Sequence, residues 1–369
     1  MKQLFEPLKI NSMVCRNRFL RSATWEALSD EQGHLTNKQK KIYTELAKNE
    51  VGLICTGYAR ILEEEQPNEK MMGIYNDRFI PEYQALTKSV HKYGAKIMMQ
   101  LAYGGTKTTY QTSSRKIFAP SDIPEKSTGT VGVPMTKEDI HYVVNAYVKA
   151  AARVKESGFD AVQIHGGHSY LLNQFLSPYY NNRTDEYGGS LSNRLRIIRE
   201  IYDGIRQATG KDFPILIKIT CSDFFEGGLT FGEVLPICRE LDEMGFDAIE
   251  VSGNIHGKAN SMSGQIFDGY PLTRGGYFIE YAKIIAEEVD IPVFVTGGVS
   301  HFDKTLDWLQ NSPIAGFGFC RALLTEPNLI KRWKDGDMTP ARCLHCSKCR
   351  TREGNYCTVF YKGKSSRRE

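Results

Sequence analysis

The fold class predicted for this chain is α/β: a closed (β/α)8 barrel of the TIM type, with a loop subdomain after its third strand and a short cysteine-rich tail. Three observations predict it. Eight short β-like runs recur along the chain with helical patterns between them. Most of those runs are apolar at successive positions, as strands buried on both faces require. At 369 residues and 41% hydrophobic content, the chain is long enough to close one large core.

The candidate strands, in order, are Arg18–Ala23, Val51–Gly57, Lys96–Ala102, Asp160–Gly166, Ile215–Thr220, Ala248–Gly253, Val293–Gly298 and Gly316–Arg321. Between them, Tyr142–Ser157, Asn193–Thr209, Phe231–Met244 and Tyr277–Glu288 carry the 3.6-residue periodicity of amphipathic helices. Two of these helices run into Gly-Phe, at Gly158-Phe159 and Gly245-Phe246. Glycine there can take the left-handed conformation that ends a helix, and Asp-Ala opens the next strand each time. A doubly wound open sheet is the structural rival. It is disfavoured because no Gly-x-Gly-x-x-Gly follows an early strand. The stretch 103–136 is polar and rich in Gly, Ser, Thr and Pro, and is expected to form a loop subdomain over the catalytic face.

The net charge of +4 is spread through the chain and makes no case for nucleic acid. The basic residues between Lys362 and Arg368 are read as a frayed, solvated terminus. The first residues lack a charged region followed by an apolar one, so no signal peptide is expected. No stretch approaches the ~18 uncharged apolar residues of a membrane span. Nine cysteines are too sparse for a disulfide scaffold, and Cys15, Cys55, Cys221, Cys238 and Cys320 read mostly as small buried hydrophobes. A cytoplasmic location is expected.

Chemistry concentrates in Val162-Gln163-Ile164-His165-Gly166-Gly167-His168-Ser169-Tyr170-Leu171-Leu172. An apolar run passes directly into His-x-x-His-x-Tyr, which places three proton-active groups at a strand's carboxyl end, where parallel α/β sheets hold their chemistry. His165 and His168 share a face if a helix follows at once. Two imidazoles can then donate to one oxygen, polarising a carbonyl and stabilising an enolate. Tyr170 offers a phenolic proton. Structural histidines and metal ligation are the alternatives, the latter weakened because no carboxylate in the motif completes a zinc site.

The motif continues as Asn173-Gln174-Phe175-Leu176-Ser177-Pro178, then Asn182-Arg183-Thr184-Asp185-Glu186-Tyr187-Gly188-Gly189-Ser190, then Asn193-Arg194. This run resembles the signature of the old yellow enzyme family, the FMN-dependent ene-reductases, and the resemblance covers residues 1 to about 331. It implies a noncovalent FMN, NAD(P)H as reductant, an electron-poor alkene as small-molecule substrate, and an N-terminal hairpin plugging the barrel. Both substrates would use one face of the flavin, so no Rossmann domain is required. His165 and His168 would hold the substrate carbonyl, with His165 also near the flavin, and Tyr170 would protonate the α-carbon.

The resemblance also assigns the cofactor residues. Asn17-Arg18-Phe19-Leu20 leads into Ser22, Ala23, Thr24 and Trp25, the flavin-contacting turn, where the family usually has Thr or Cys in place of Trp25. Gly57 and Tyr58 end the second strand beside the isoalloxazine. Gln100 matches the glutamine on the flavin's pyrimidine edge, and Tyr103 falls where histidine is often found. Lys218 stands where the family has Arg, near flavin N1, and a cation in a buried strand is costly unless paired; an ion pair with a barrel carboxylate is the other reading. Gly297 and Gly298 after strand seven, with Cys320 and Arg321 after strand eight, would take the phosphate, the usual place in this barrel. Cys320 replaces a family glycine.

Cys343, Cys346, Cys349 and Cys357 form C-x2-C-x2-C-x7-C, a spacing that suits a metal. Longer relatives of the 2,4-dienoyl-CoA reductase and trimethylamine dehydrogenase type carry a [4Fe-4S] cluster on similarly placed cysteines. A cluster, zinc, or a remnant with free thiols all stay open. The expected division is an FMN-binding barrel over 1–335 and a cysteine-rich tail over 336–369. The rival functions are an iron–sulfur flavoprotein passing electrons to a partner, and a flavin-loaded scaffold whose tail binds protein or RNA. The sequence leaves the natural alkene and homo-oligomerisation open.

Overall fold

The computed structural model describes residues 2–253, 275–346 and 348–361. The basic run 362–368 lies outside the described residues. An antiparallel hairpin comes first, β1 (Leu8–Ile10) with β2 (Met13–Cys15). The barrel follows: β3 (Phe19–Arg21), β4 (Leu53–Arg60), β5 (Lys96–Ala102), then β8 (Ala161–Gly166), β9 (Ile215–Thr220), β10 (Ala248–Ser252), β11 (Val293–Thr296) and β12 (Gly316–Phe319). Each strand is parallel to its neighbours, and β12 pairs with β3 to close the ring.

Two apolar compartments hold the fold. The larger lies between strands and helices and contains Ile54, Ile97, Val162, Ile217, Ile249 and Phe317. The smaller fills the amino end of the barrel interior, where Leu20, Leu53, Met98, Leu216 and Phe294 meet Leu8, Ile10, Met13 and Cys15 of the hairpin. The hairpin is therefore the plug that the resemblance implied. Most strand residues face one compartment or the other, which is why the runs are largely apolar at successive positions.

The helices are α1 (Asn37–Lys48), α2 (Ile80–His91), α3 (Lys137–Glu156), α5 (Leu191–Thr209), α6 (Phe231–Met244), α7 (Ile279–Glu288) and α8 (Phe302–Gln310), with short pieces α4 (Leu171–Leu176), α9 (Arg321–Thr325) and α10 (Leu329–Lys334). Capping fixes their starts: Thr136 and Asp139 close a capping box on α3, as do Thr230 and Glu233 on α6. Gly158 (φ 79°) and Gly245 (φ 95°) are left-handed, as the Gly-Phe pairs predict. The stretch 103–136 contains only the two-residue pair β6 (Phe118–Ala119) and β7 (Val133–Pro134) among its regular strands.

Strand ends differ from expectation in one informative place. β4 runs past Gly57 to Arg60, with a register shift between Cys55 and Tyr58. The irregularity lets the strand continue where glycine suggested an end. Among the described residues, no helix is long and apolar enough to cross a membrane.

Candidate active site

A buried polar layer crosses the barrel interior above the apolar plug. Glu250, at the middle of β10, stands in register with Lys218 of β9. Its Oε1 is 2.9 Å from Lys218 Nζ and accepts hydrogen bonds from Ser22 Oγ at 2.5 Å and Thr296 Oγ1 at 2.5 Å. Its Oε2 accepts from Gln163 Nε2 at 2.8 Å. Lys218 Nζ also donates to Ser22 Oγ at 2.6 Å, and Gln100 Nε2 donates to Gln163 Oε1 at 2.7 Å. Burial alone would push Glu250 up and Lys218 down, but each holds the other charged, so Glu250 sits below its ordinary range and Lys218 above. Lys218 thus has the barrel carboxylate as its partner.

At the carboxyl end of β8, Gly166 and Gly167 let the chain pass close to β9. A Cβ at Gly167 would lie 2.9 Å from Thr220 Oγ1. No helix follows at once. His168 (φ 60°) and Ser169 (φ 59°) are left-handed, and α4 begins only after Tyr170. The shared face expected from helical spacing is instead made by this turn, fixed by the His168 N–H donating to Thr220 Oγ1 at 2.9 Å and the Ser169 N–H to Asn173 Oδ1 at 2.7 Å. The result brings His165 Nε2 and His168 Nδ1 to 3.3 Å, with His168 Nε2 2.9 Å from Ser252 Oγ. His165 is buried, and its pKa is held well below the ordinary histidine value by burial, then by His168 and Lys218. It is a neutral imidazole.

Tyr170 packs its ring 4.8 Å from His165 and 5.7 Å from Tyr58. Asn68 Nδ2 donates to Tyr58 Oη at 2.6 Å and lies 3.4 Å from Tyr170 Oη. With its oxygen taken by Asn68, Tyr58 has its own phenolic proton to give to Tyr170, with which it is hydrogen-bonded. Burial raises both phenols, so both stay protonated at neutral pH.

A cavity of about 390 Å³ joins this cluster to the loops after β11 and β12. His168, Tyr170 and Ser252 line one end; Gly297, Gly298, Cys320 and Arg321 line the other. Gly298 (φ 71°) requires glycine twice over, since a Cβ there would stand 2.6 Å from Tyr277 Cε1.

The tail forms part of the wall through His345 and Arg350. It is docked by Asn355, whose N–H and side-chain amide donate to the carbonyls of Glu26 (2.7 Å) and Trp25 (2.6 Å). The Trp25 indole N–H is buried without a partner among the described residues. Glu26 is buried beside Arg21 at 3.5 Å, and burial pushes its carboxyl up to about 7. A Cβ at Gly57 would meet Glu26 Oε2 at 2.4 Å, which explains that glycine.

The spacing of the tail cysteines leaves a cluster, zinc or free thiols open. Cys343, Cys346 and Cys349 are half-buried and Cys357 is buried; Cys343, Cys357 and Cys346 all stand close enough to add to the burial that raises the Cys349 thiol, but no group of three or more His, Cys, Asp or Glu forms a metal site among the described residues. The tail is held by hydrogen bonds that include the Tyr356 N–H donating to the Cys349 carbonyl at 3.0 Å and the Tyr361 hydroxyl donating to the Thr325 carbonyl at 3.0 Å.

His168 and Tyr170 of the motif therefore meet Gly297, Gly298, Cys320 and Arg321 in one cavity, and His165 is in contact with both of the first two. Ser22, Gln100 and Lys218 lie in the polar layer, while Ala23, Thr24 and Trp25 carry the chain from β3 toward the tail contact. Gly57 and Tyr58 sit on β4, as expected in place though not at its end. Sequence reasoning missed Glu250, Gln163, Asn68 and Arg350. A carboxylate inside Ala248-Ile249-Glu250-Val251 was a signal of the same kind as Lys218; Asn68 and Arg350 carried none.

Fold and site define a closed parallel β/α barrel with a cluster of proton-donating side chains beside its cavity. The chain matches the family described as NADH:flavin oxidoreductase / NADH oxidase over residues 3–339. It is 32% identical over 329 residues to the NADPH dehydrogenase of Bacillus subtilis (strain 168), covering 88% of this chain and 92% of that protein. A second NADPH dehydrogenase, from Geobacillus sp. (strain WCH70), is 33% identical over 325 residues, covering 88% and 91%. Among solved structures, the old yellow enzyme homologue from Zymomonas mobilis superposes with a TM-score of 0.78 at 20% identity, covering 92% of this chain and 94% of that one. A 2-naphthoyl-CoA reductase superposes at 0.85 with 22% identity over 97% of this chain, which spans 55% of that longer protein. The chain belongs to the NADH:flavin oxidoreductase family, that of the old yellow enzymes, and is an FMN- and NAD(P)H-dependent oxidoreductase. Its residues fit the flavin: the buried Nδ1 of His165 and Nε1 of Trp25 lack protein partners among the described residues, and the glycine pair with Arg321 suits a phosphate.

Proposed function

We propose that this oxidoreductase reduces the C=C bond of an α,β-unsaturated carbonyl or a similarly electron-poor small-molecule alkene. One observation carries the proposal: the His165 and His168 rings bring two nitrogens to 3.3 Å of each other, the protonated Tyr170 phenol packs against His165, and His168 and Tyr170 line one cavity. The hydride chemistry belongs to FMN when bound, with NAD(P)H as the reductant. Around it we assign Ser22, Ala23, Thr24, Trp25, Gly57, Tyr58, Gln100, His165 and Lys218 to the ring, and Gly297, Gly298, Cys320 and Arg321 to the phosphate. The barrel over 1–335 is the catalytic unit, and the tail from 336 is its appendage.

The residues divide the remaining work. The His165–His168 pair receives the substrate oxygen and donates to it as negative charge develops. Neutral His165 can do so without paying to bury a second cation near Lys218. The Tyr170 proton goes to the α-carbon, and the Tyr58 proton moves onto the Tyr170 oxygen it already faces. Asn68 then steadies the Tyr58 oxygen, which regains its proton from solvent.

The test is Tyr170→Phe, followed in separate half-reactions. Alkene-dependent reoxidation should slow by ~10²–10⁴-fold, the usual loss for one general acid. Flavin reduction by NAD(P)H should change little, because it consumes no proton from Tyr170. Equal slowing of both halves would refute the assignment.

A further inference from the structure

The hydrogen bonds that dock the tail do not involve the Arg350 side chain. That work falls to Asn355 on the carbonyls of Trp25 and Glu26, to Lys70 Nζ on the Arg352 carbonyl at 3.0 Å, and to Tyr361 on Thr325. Arg350 instead lies with its guanidinium over the Trp25 ring, 5.7 Å from the centroid, and is exposed. It lines the same cavity as His168 and Tyr170.

Among the described residues, no carboxylate lies within ion-pair distance of Arg350, whereas Lys107 on the same wall is paired with Glu125 at 3.0 Å and Lys218 below with Glu250 at 2.9 Å. An arginine stacked on an aromatic face keeps the edge of its fork open and loses little freedom when that edge is bonded. The edge geometry matches a planar carboxylate. Arg350 also acts on the reactive end of the cavity, since its charge favours the ionised forms of both Tyr58 and Tyr170.

We propose that Arg350 is a specificity residue, placed by the cysteine-rich tail to receive a carboxylate on the substrate, so that the preferred alkenes are acids. The inference rests on the reading of His165, His168 and Tyr170 as the substrate end. The carboxylate would enter at the tail side while the carbonyl oxygen seats on the histidines.

Flavin-loaded protein tests this with phenolic ligands that perturb the flavin spectrum. Dissociation constants would be measured for 3- and 4-hydroxybenzoate and for the methyl ester of each. At least one acid should bind about tenfold more tightly than its ester, the value of one charge-assisted hydrogen bond. Arg350→Gln should abolish that preference, with the ester's constant within about twofold of the wild type. Arg350→Lys should restore part of it, and added salt should shrink it. Acid and ester binding alike in wild type, or a preference that survives Arg350→Gln, would overturn the carboxylate site while leaving the ene-reductase reading intact. A variant that alters only the NADPH-to-NADH preference would overturn it in favour of a nucleotide phosphate. If no phenol binds the wild type at all, the substrate-end reading falls and this inference with it.

Discussion

Glu250→Gln removes the charge on which the polar layer of the barrel converges. The side chain accepts from Ser22, Thr296 and Gln163 and pairs with Lys218, all in a buried setting. A glutamine keeps the volume but leaves Lys218 as an uncompensated buried cation, and its amide protons face groups that are already donors. Breaking a buried pair by removing one partner costs about 3–5 kcal/mol. Unfolding entropy of about 2.1 cal/mol/K per residue, over 369 residues, comes to about 0.8 kcal/mol/K. The midpoint should therefore fall by about 4–6 °C. Lys218→Met should act in the same direction. The double variant Lys218→Met/Glu250→Leu removes both charges and should lose much less than the two single losses combined. Thermal unfolding followed by circular dichroism checks this, on flavin-loaded and flavin-free protein, because a bound ligand adds its own stabilisation. A Glu250→Gln midpoint within about 1 °C of wild type in both forms, or single losses that simply add, would refute the paired-charge account.

Replacing His165 and His168 together by Ala should weaken phenol binding, read from the long-wavelength flavin bands, while flavin content persists; unchanged titrations would make the histidines structural. Glu26 and Glu65 are both buried and both pushed by burial to about 7 from an ordinary 4.5. Their folded values exceed the unfolded ones, so the stability they contribute is complete below about 4.5 and is lost as pH rises through about 7. Glu65→Gln should flatten the fall in melting temperature between pH 5 and pH 8, by roughly 3 °C if 1.36 kcal/mol is expressed for each of the about two units that fall in that window; an unaltered pH profile would show that Glu65 is ionised without cost.

What the sequence reveals here depends on whether the governing force acts locally. The eight barrel strands were legible because burial on both faces writes itself into consecutive residues such as Ile215–Thr220. Gly57 misled because a glycine inside a strand and a glycine ending one look alike; the register shift that carries β4 on to Arg60 is set by pairing with β5. His-x-x-His-x-Tyr was legible as chemistry, yet its geometry comes from two left-handed residues that helical spacing does not suggest. Lys218 announced that it needed a partner, but the choice of Glu250 is made by register across two strands. The tail lies at the far limit of this logic. Asn355 bonds to Trp25 across 330 positions, and no local pattern connects them. That contact nonetheless brings Arg350 to the cavity that the motif at 162–172 opens. In the function and specificity proposed above, the motif residues fix which bond reacts, and Arg350, nearly two hundred positions later, selects which molecules bring that bond to them. Two such distant segments can be tuned separately, so substitutions in the tail should redirect substrate choice while the proton chemistry of Tyr170 stays in place.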